Sequence, residues 1–174
     1  MPHRLVLIRH AQAADAAVPA AGAATDADRT LTPEGEEQAA AIGRWIRKAD
    51  LAPDRVVLSP ARRAMQTWQR AAAQLASPPA PIVDQRIYDN AVEYLLAVID
   101  ETPADVGTLA VVGHNPSIGT LASILDDGAG SPAARRTLQA GFPTGCVAVF
   151  ELGTPFDGVV PESATLTACT VPRP

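Results

Sequence analysis

Leu5-Val6-Leu7-Ile8-Arg9-His10-Ala11 decides the reading of this chain. A continuous apolar run of four residues, with no polar alternation, is the pattern of a strand covered on both faces. The residues that follow emerge at the carboxyl edge of a sheet, where open α/β folds place their ligand sites. An arginine and a histidine standing there are the start of a site if the rest of the chain supplies partners.

Length and composition bound the answer. A chain of 174 residues is read most economically as one domain with a substantial core. Hydrophobic residues make up 47% and aromatics only 4%, so the core is expected from Leu, Ile, Val and Ala. The net charge of −5, with no basic run, argues against a nucleic-acid partner. It leaves room for an anionic substrate, because a local cluster of arginines outweighs a mildly acidic surface. No apolar run is long enough to span a membrane, and a charged start leads directly into a strand without a signal peptide. A cytoplasmic protein with no membrane partner is therefore expected; nothing in the sequence speaks to oligomeric state. Cys146 and Cys169 lie in late apolar segments without metal-ligand spacing and are expected as buried reduced thiols.

Outward from the first strand, residues 13–25 are rich in Ala, with Pro19 and Gly22, and read as a mobile loop. Thr32-Pro33-Glu34-Gly35 then starts a helix to about Ala49: Thr32 suits the N-cap, Pro33 the first turn and the glutamates the positive end. Val56-Val57-Leu58 is a short strand, and a helix from Ser59-Pro60 to about Ala76 follows. Ile82-Val83 reads as an edge strand and residues 92–100 as a helix. Leu109-Ala110-Val111-Val112 is a second buried strand ending at Gly113-His114, and Asn115-Pro116 opens a helix to about Leu125. Residues 146–150 and 164–171 read as two final strands, hairpin-like at one edge. The pattern is α/β: a single three-layer domain with a mixed, mostly parallel sheet flanked by helices.

The chemistry gathers at the strand ends. Strand-to-helix turns of one parallel sheet share its carboxyl edge, so the helices after Ser59-Pro60 and Asn115-Pro116 should turn their N-termini towards Arg9-His10. Arg62, three residues after Ser59, can reach back over that edge, whereas Arg63 reads as a solvated helix face. His114 closes its own strand. Two arginines and two histidines suit a tetrahedral dianion, since guanidinium binds phosphate oxygens bidentately and keeps its charge. Neighbouring arginines hold a histidine neutral, leaving a ring nitrogen free to attack phosphorus. No carboxylate or third histidine accompanies the pair, so neither a metal nor another cofactor is expected.

These residues resemble the histidine phosphatase superfamily, also called phosphoglycerate mutase-like. Leu7-Ile8-Arg9-His10-Ala11 is similar to its Arg-His-Gly signature, with Ala11 in place of glycine. Residues 59–67, Ser-Pro-Ala-Arg-Arg-Ala-Met-Gln-Thr, look like its second block and Val112-Gly113-His114-Asn115-Pro116 like its third. Arg29, Leu31, Thr32 and Gly35 match the segment before its first long helix. The resemblance implies a phosphoglycerate mutase-like fold for residues 1–174 as a single histidine phosphatase domain. It implies a phosphohistidine intermediate on His10, with Arg9, Arg62 and His114 completing the phosphate pocket, and Gln12 and Asn115 as further substrate contacts. The short length and residues 29–35 look most like the SixA-type phosphohistidine phosphatases.

The expected function is metal-independent phosphatase action, with protein phosphohistidine as substrate. A small-molecule phosphomonoesterase and a non-catalytic phosphate or phosphohistidine binding module are the alternatives. An alkyl ester needs a carboxylic acid to protonate its leaving group. The family position for that acid falls near Arg86-Ile87-Tyr88-Asp89, where Asp89 or Glu93 would substitute; Asp26 and Asp28 are weaker choices. None sits in a convincing motif, which favours imidazole as leaving group.

Overall fold

The computed structural model describes residues 2–15 and 25–174; most of the expected loop over 13–25 lies outside them. Six strands form one sheet: β1 (His3–Arg9), β2 (Arg55–Leu58), β3 (Ile82–Val83), β4 (Thr108–Gly113), β5 (Val147–Leu152) and β6 (Ala164–Thr170). Their order is β3-β2-β4-β1-β5-β6. The first four are parallel, while β5 runs antiparallel to β1 and β6 antiparallel to β5. The sheet is therefore mixed and mostly parallel, with the two-stranded addition at one edge, as expected.

Among the described residues six helices cover the sheet: α1 (Pro33–Lys48), α2 (Arg62–Ala72), α3 (Gln85–Asp89), α4 (Val92–Asp100), α5 (Ser117–Leu125) and α6 (Pro132–Ala140). The apolar strands alternate between two cores. Val6 and Ile8 of β1, with Ala110 and Val112 of β4, pack under Ile42 and Ile46 of α1 and Ala64, Trp68 and Ala71 of α2. Leu5, Leu7, Leu109 and Val111 face the other way, against α4, α5 and α6. Three layers result, because period-two alternation in a strand with no polar face requires cover on both sides. Each Leu or Ile so buried stabilises the fold by about 1.5–3 kcal/mol.

Local signals explain the helix starts. Thr32 accepts from Gly35 N at 3.0 Å and Pro33 takes the first turn of α1. Ser131-Pro132 repeats that device at α6, where Ser131 accepts from Ala134 N at 3.3 Å. The sequence reading leaves α6 out although its cap has the same signature as that of α1. It also leaves out α3, a helix of five residues too short to show a period. At α2 the expected cap is displaced: the helix begins at Arg62, two residues beyond Ser59-Pro60.

Helices α1 and α2 approach closely at Gly43, where an added Cβ would collide with the Ala71 carbonyl. Cys146, just before β5, and Cys169 of β6 are buried free thiols, their sulfurs 3.8 Å apart. Among the described residues no helix is long and apolar enough to cross a membrane.

Candidate active site

The carboxyl ends of β1, β2 and β4 and the start of β5 lie at one edge of the sheet, fixed by the pairs Arg9↔Gly113, Leu58↔Val112 and Ile8↔Val147. A cavity of about 440 Å³ opens there, lined by Arg9, His10, Gln12, Asp26, Arg29, Arg63, Tyr88, Asn90, His114 and Asn115 among others. With Thr144, residues from six separate stretches of chain thus meet at a single edge.

His10 leaves β1 with its backbone pinned: its N–H donates to Gly113 O at 3.0 Å and its carbonyl accepts from Gly145 N at 3.0 Å. Its ring is nearly buried, and Nδ1 donates to Ala11 O at 2.8 Å. A carbonyl only accepts, so Nδ1 carries the proton and Nε2 carries the lone pair, with no partner among the described residues. Burial pushes the imidazole down to about 4; the Ala11 bond opposes this, while the charges of Arg63, Arg9 and Arg29 add to it. His10 is therefore neutral at neutral pH, with the Nε2 lone pair available.

His114 stands beside it, ring centroids 5.1 Å apart. Its Nε2 lies 2.7 Å from Ser59 Oγ, which itself accepts from Ala61 N at 3.1 Å. Ser59 thus orients a histidine instead of capping α2. Burial, then the neighbouring His10 and Arg63, push His114 down to about 3. Tyr88 meets it edge-on, with ring centroids 5.9 Å apart.

The second-block arginine of the cavity is Arg63 and not Arg62. Helix α2 buries Arg63, Ala64, Thr67, Trp68 and Ala71, a stripe at helical spacing. Arg62 projects from the opposite side, exposed beside Met65 and Gln69. The adjacent arginines are about 100° apart around the helix axis, and only the second lies on the stripe facing the sheet edge. Thr67 fixes that stripe to β1: its Oγ1 accepts from Ala11 N at 2.9 Å and donates to Arg63 O at 2.7 Å.

Asp89 and Glu93 do not line the cavity either. Asp89 accepts from Gln85 on the outside of α3, and Glu93 is exposed. The α3 residue that reaches the cavity is Tyr88. Asn90, in the left-handed conformation after α3 (φ 63°), reaches it too, and its Nδ2 donates to Asn115 O at 2.8 Å.

Gln12 and Asn115 line the cavity as expected. Asn115 Nδ2 and Arg9 Nη1 both donate to Phe142 O, at 2.8 and 3.0 Å. Of the helix starts, α2 and α5 bring Arg63 and the preceding Asn115 to the lining. Asp26, expected only as a weak choice of acid, and Arg29, not expected to line the pocket, arrive from a 3-10 turn, Asp26–Asp28, and the residue that follows it, whose shape no periodicity reveals. Asp26 accepts from Arg29 Nη1 and Arg63 Nη2, both at 3.1 Å, and from Tyr88 Oη at 2.9 Å.

Three guanidiniums against one carboxylate leave two positive charges in the cavity of an acidic protein. Buried nitrogens with no partner among the described residues include Arg9 Nε, Arg63 Nε and His114 Nδ1, all three from this lining. Buried polar groups are nearly always paired, so two unpartnered guanidinium N–H groups and an unpartnered imidazole nitrogen at one place mark a binding site for a polar ligand. Among the described residues no group of three or more His, Cys, Asp or Glu side chains could hold a metal ion.

Known proteins resemble this chain in sequence and fold. A model of the histidine phosphatase superfamily (branch 1) matches residues 5–89. An uncharacterised protein of Mycobacterium tuberculosis is 34% identical over 149 residues, 85% of this chain and 92% of its own length. The candidate phosphohistidine phosphatase SixA from Nakamurella multipartitia superposes with a TM-score of 0.82 at 31% identity, over 99% of this chain and 97% of that one. Its counterpart from Agrobacterium tumefaciens gives 0.79 at 27% identity, over 99% of both chains.

Proposed function

The chain belongs to the histidine phosphatase superfamily and is a phosphatase; on that premise we propose that it hydrolyses protein-borne phosphohistidine through a phosphoenzyme on His10, without a metal. The observation that carries the reading is the pair of buried, neutral imidazoles among guanidiniums whose buried nitrogens lack partners.

His10 Nε2 attacks phosphorus as the bond to the leaving group breaks. The Nδ1–H to Ala11 O bond holds the ring in the tautomer this needs and supports the positive charge that develops on it. Arg9 and Arg63 supply fixed donors to the phosphoryl oxygens, and His114, oriented by Ser59, stands where a further donor meets the same oxygens. Positive charge that a metal would otherwise bring is thereby present in side chains. Water then displaces His10 from phosphorus and regenerates the neutral ring. Gln12 and Asn115 complete the walls around the substrate.

The leaving group decides the substrate class. Burial pushes Asp26 up, but hydrogen bonds from Arg29 and Tyr88 and the nearby Arg63 outweigh it and hold Asp26 at about 2. The cavity's carboxylate is thus ionised and no acid for an alkoxide. Imidazole leaves without such an acid, which favours phosphohistidine and activated aryl phosphates over alkyl esters.

The test is a trapping assay with a labelled phosphohistidine protein, beside a panel of phosphate esters and with chelator present. The unmodified enzyme should form an acid-labile, base-stable phosphoenzyme and turn over under chelation. His10→Ala should form none and retain less than about a thousandth of the activity, as for loss of a covalent nucleophile. Full activity in His10→Ala, or dependence on added magnesium, would refute the mechanism; efficient hydrolysis of alkyl phosphates would favour a small-molecule phosphomonoesterase.

A further inference from the structure

Asp26 is the one carboxylate among the cavity's lining residues, and phosphoryl transfer as described gives it no task. A negative charge in a pocket built for a dianion opposes that ligand, so its presence there calls for a positive group on the substrate side. Its placement is firm, with Tyr88 Oη and Arg63 Nη2 on Oδ2 and Arg29 Nη1 on Oδ1. A carboxylate has about four acceptor positions; three are filled and one on Oδ1 is left. The side chain is 49% exposed, so that position is open to a ligand.

Breaking a P–N bond to imidazole sets a requirement at the far side of the ring. With a proton on the other nitrogen, imidazole leaves neutral; without it, it must leave as an anion. On the enzyme's own ring this requirement is met by Ala11 O, which holds Nδ1–H of His10. The substrate ring is an imidazolium until the bond breaks and needs an acceptor of its own.

We propose that Asp26 is that acceptor and the specificity-determining residue of the site: its carboxylate holds the N–H of a leaving imidazolium and so selects phosphohistidine over anionic phosphate esters. The assignment rests on the phosphohistidine reading given above. In the step, the bond from phosphorus to the substrate nitrogen breaks and its electron pair stays on that nitrogen. The bond from phosphorus to His10 Nε2 forms from the lone pair there. The substrate ring departs neutral, its proton still on the distal nitrogen against Asp26, and the positive charge passes to the His10 ring.

Steady-state kcat/KM on a phosphohistidine peptide and on p-nitrophenyl phosphate tests this. Asp26→Asn should lose about tenfold or more on the peptide, as for one ion pair in a partly solvated site. On the aryl ester it should gain, because Arg63 and Arg29 are released from a competing anion. Tyr88→Phe keeps the carboxylate and should keep the preference for the peptide to within about threefold. In the unmodified enzyme 3-phosphoglycerate, with a carboxylate close to its phosphate, should be poorer than the aryl ester. Equal losses on both substrates in Asp26→Asn would make Asp26 a support for the arginines and overturn the proposal. So would collapse of the preference in Tyr88→Phe, or good use of 3-phosphoglycerate. An unmodified enzyme active on the aryl ester but inert to phosphohistidine defeats this proposal and the substrate reading together, leaving the phosphatase intact. Inactivity on every substrate defeats the phosphatase reading itself.

Discussion

Two neighbouring arginines carry the sharpest contrast at the residue scale. Arg63 is buried with its guanidinium in the cavity, and Arg62 is exposed on the outside of α2. Removing a preorganised donor to a transition-state anion costs about a hundredfold or more in rate, so Arg63→Ala should fall that far while Arg62→Ala stays within about twofold of the parent, as for surface changes. Comparable losses in both variants would refute the placement. Arg9, His10 and His114 are legible in the sequence because each ends an apolar strand, and a strand end has one place to go. Between the arginines, proximity to Ser59 favours the wrong one. The buried positions Ala64, Trp68 and Ala71 carry the needed information, since Arg63 stands one turn before Thr67 on the edge of that stripe. Asp26, Arg29 and Tyr88 are different: they come from a 3-10 turn and a helix of five residues, and their meeting is a tertiary fact.

Elements were readable in proportion to their length and punctuation. The long helices and the buried strands follow from periodicity, and β5–β6 from their position after the last helix-like stretch. Helix α6 was equally signalled by Ser131-Pro132 but has little apolar content, with only Ala134 and Leu138 buried. Its cap is accordingly important to it. Ser131→Ala should lower stability by about 1 kcal/mol, within the usual range for an N-cap, as a shift in urea midpoint without change in slope. The contact of α1 with α2 is more demanding. A methyl group at Gly43 meets the Ala71 carbonyl, and backbone cannot yield as a side-chain end does. Gly43→Ala should cost about 1–3 kcal/mol as an overpacking change, although alanine is by itself the better helix former. A stabilised variant would show that the helices separate freely.

At the scale of the whole molecule the two histidines make stability a function of pH. Both are held neutral in the fold, down to about 4 for His10 and about 3 for His114, whereas unfolded histidines take up protons near 6.5. Between those limits the unfolded chain binds more protons, so stability rises with pH. Acidification from pH 7 should weaken the fold progressively until about pH 3, with urea midpoints falling well before most carboxylates titrate. Replacing both histidines by glutamine should flatten the upper part of that slope; an unchanged profile would contradict it. The sheet order has a different consequence, one of timing. Strand β1 is made first, yet its hydrogen-bonding neighbours are β4 and β5, more than a hundred residues later in the chain. During synthesis the segment bearing His10 waits as an apolar ribbon with both edges bare, the kind of surface that aggregates or recruits chaperones. Contacts of such sequence separation are slow to form, and the backbone that aims His10 includes Gly145. A ribosome therefore has to deliver the chain as far as Gly145 before His10 can be aimed.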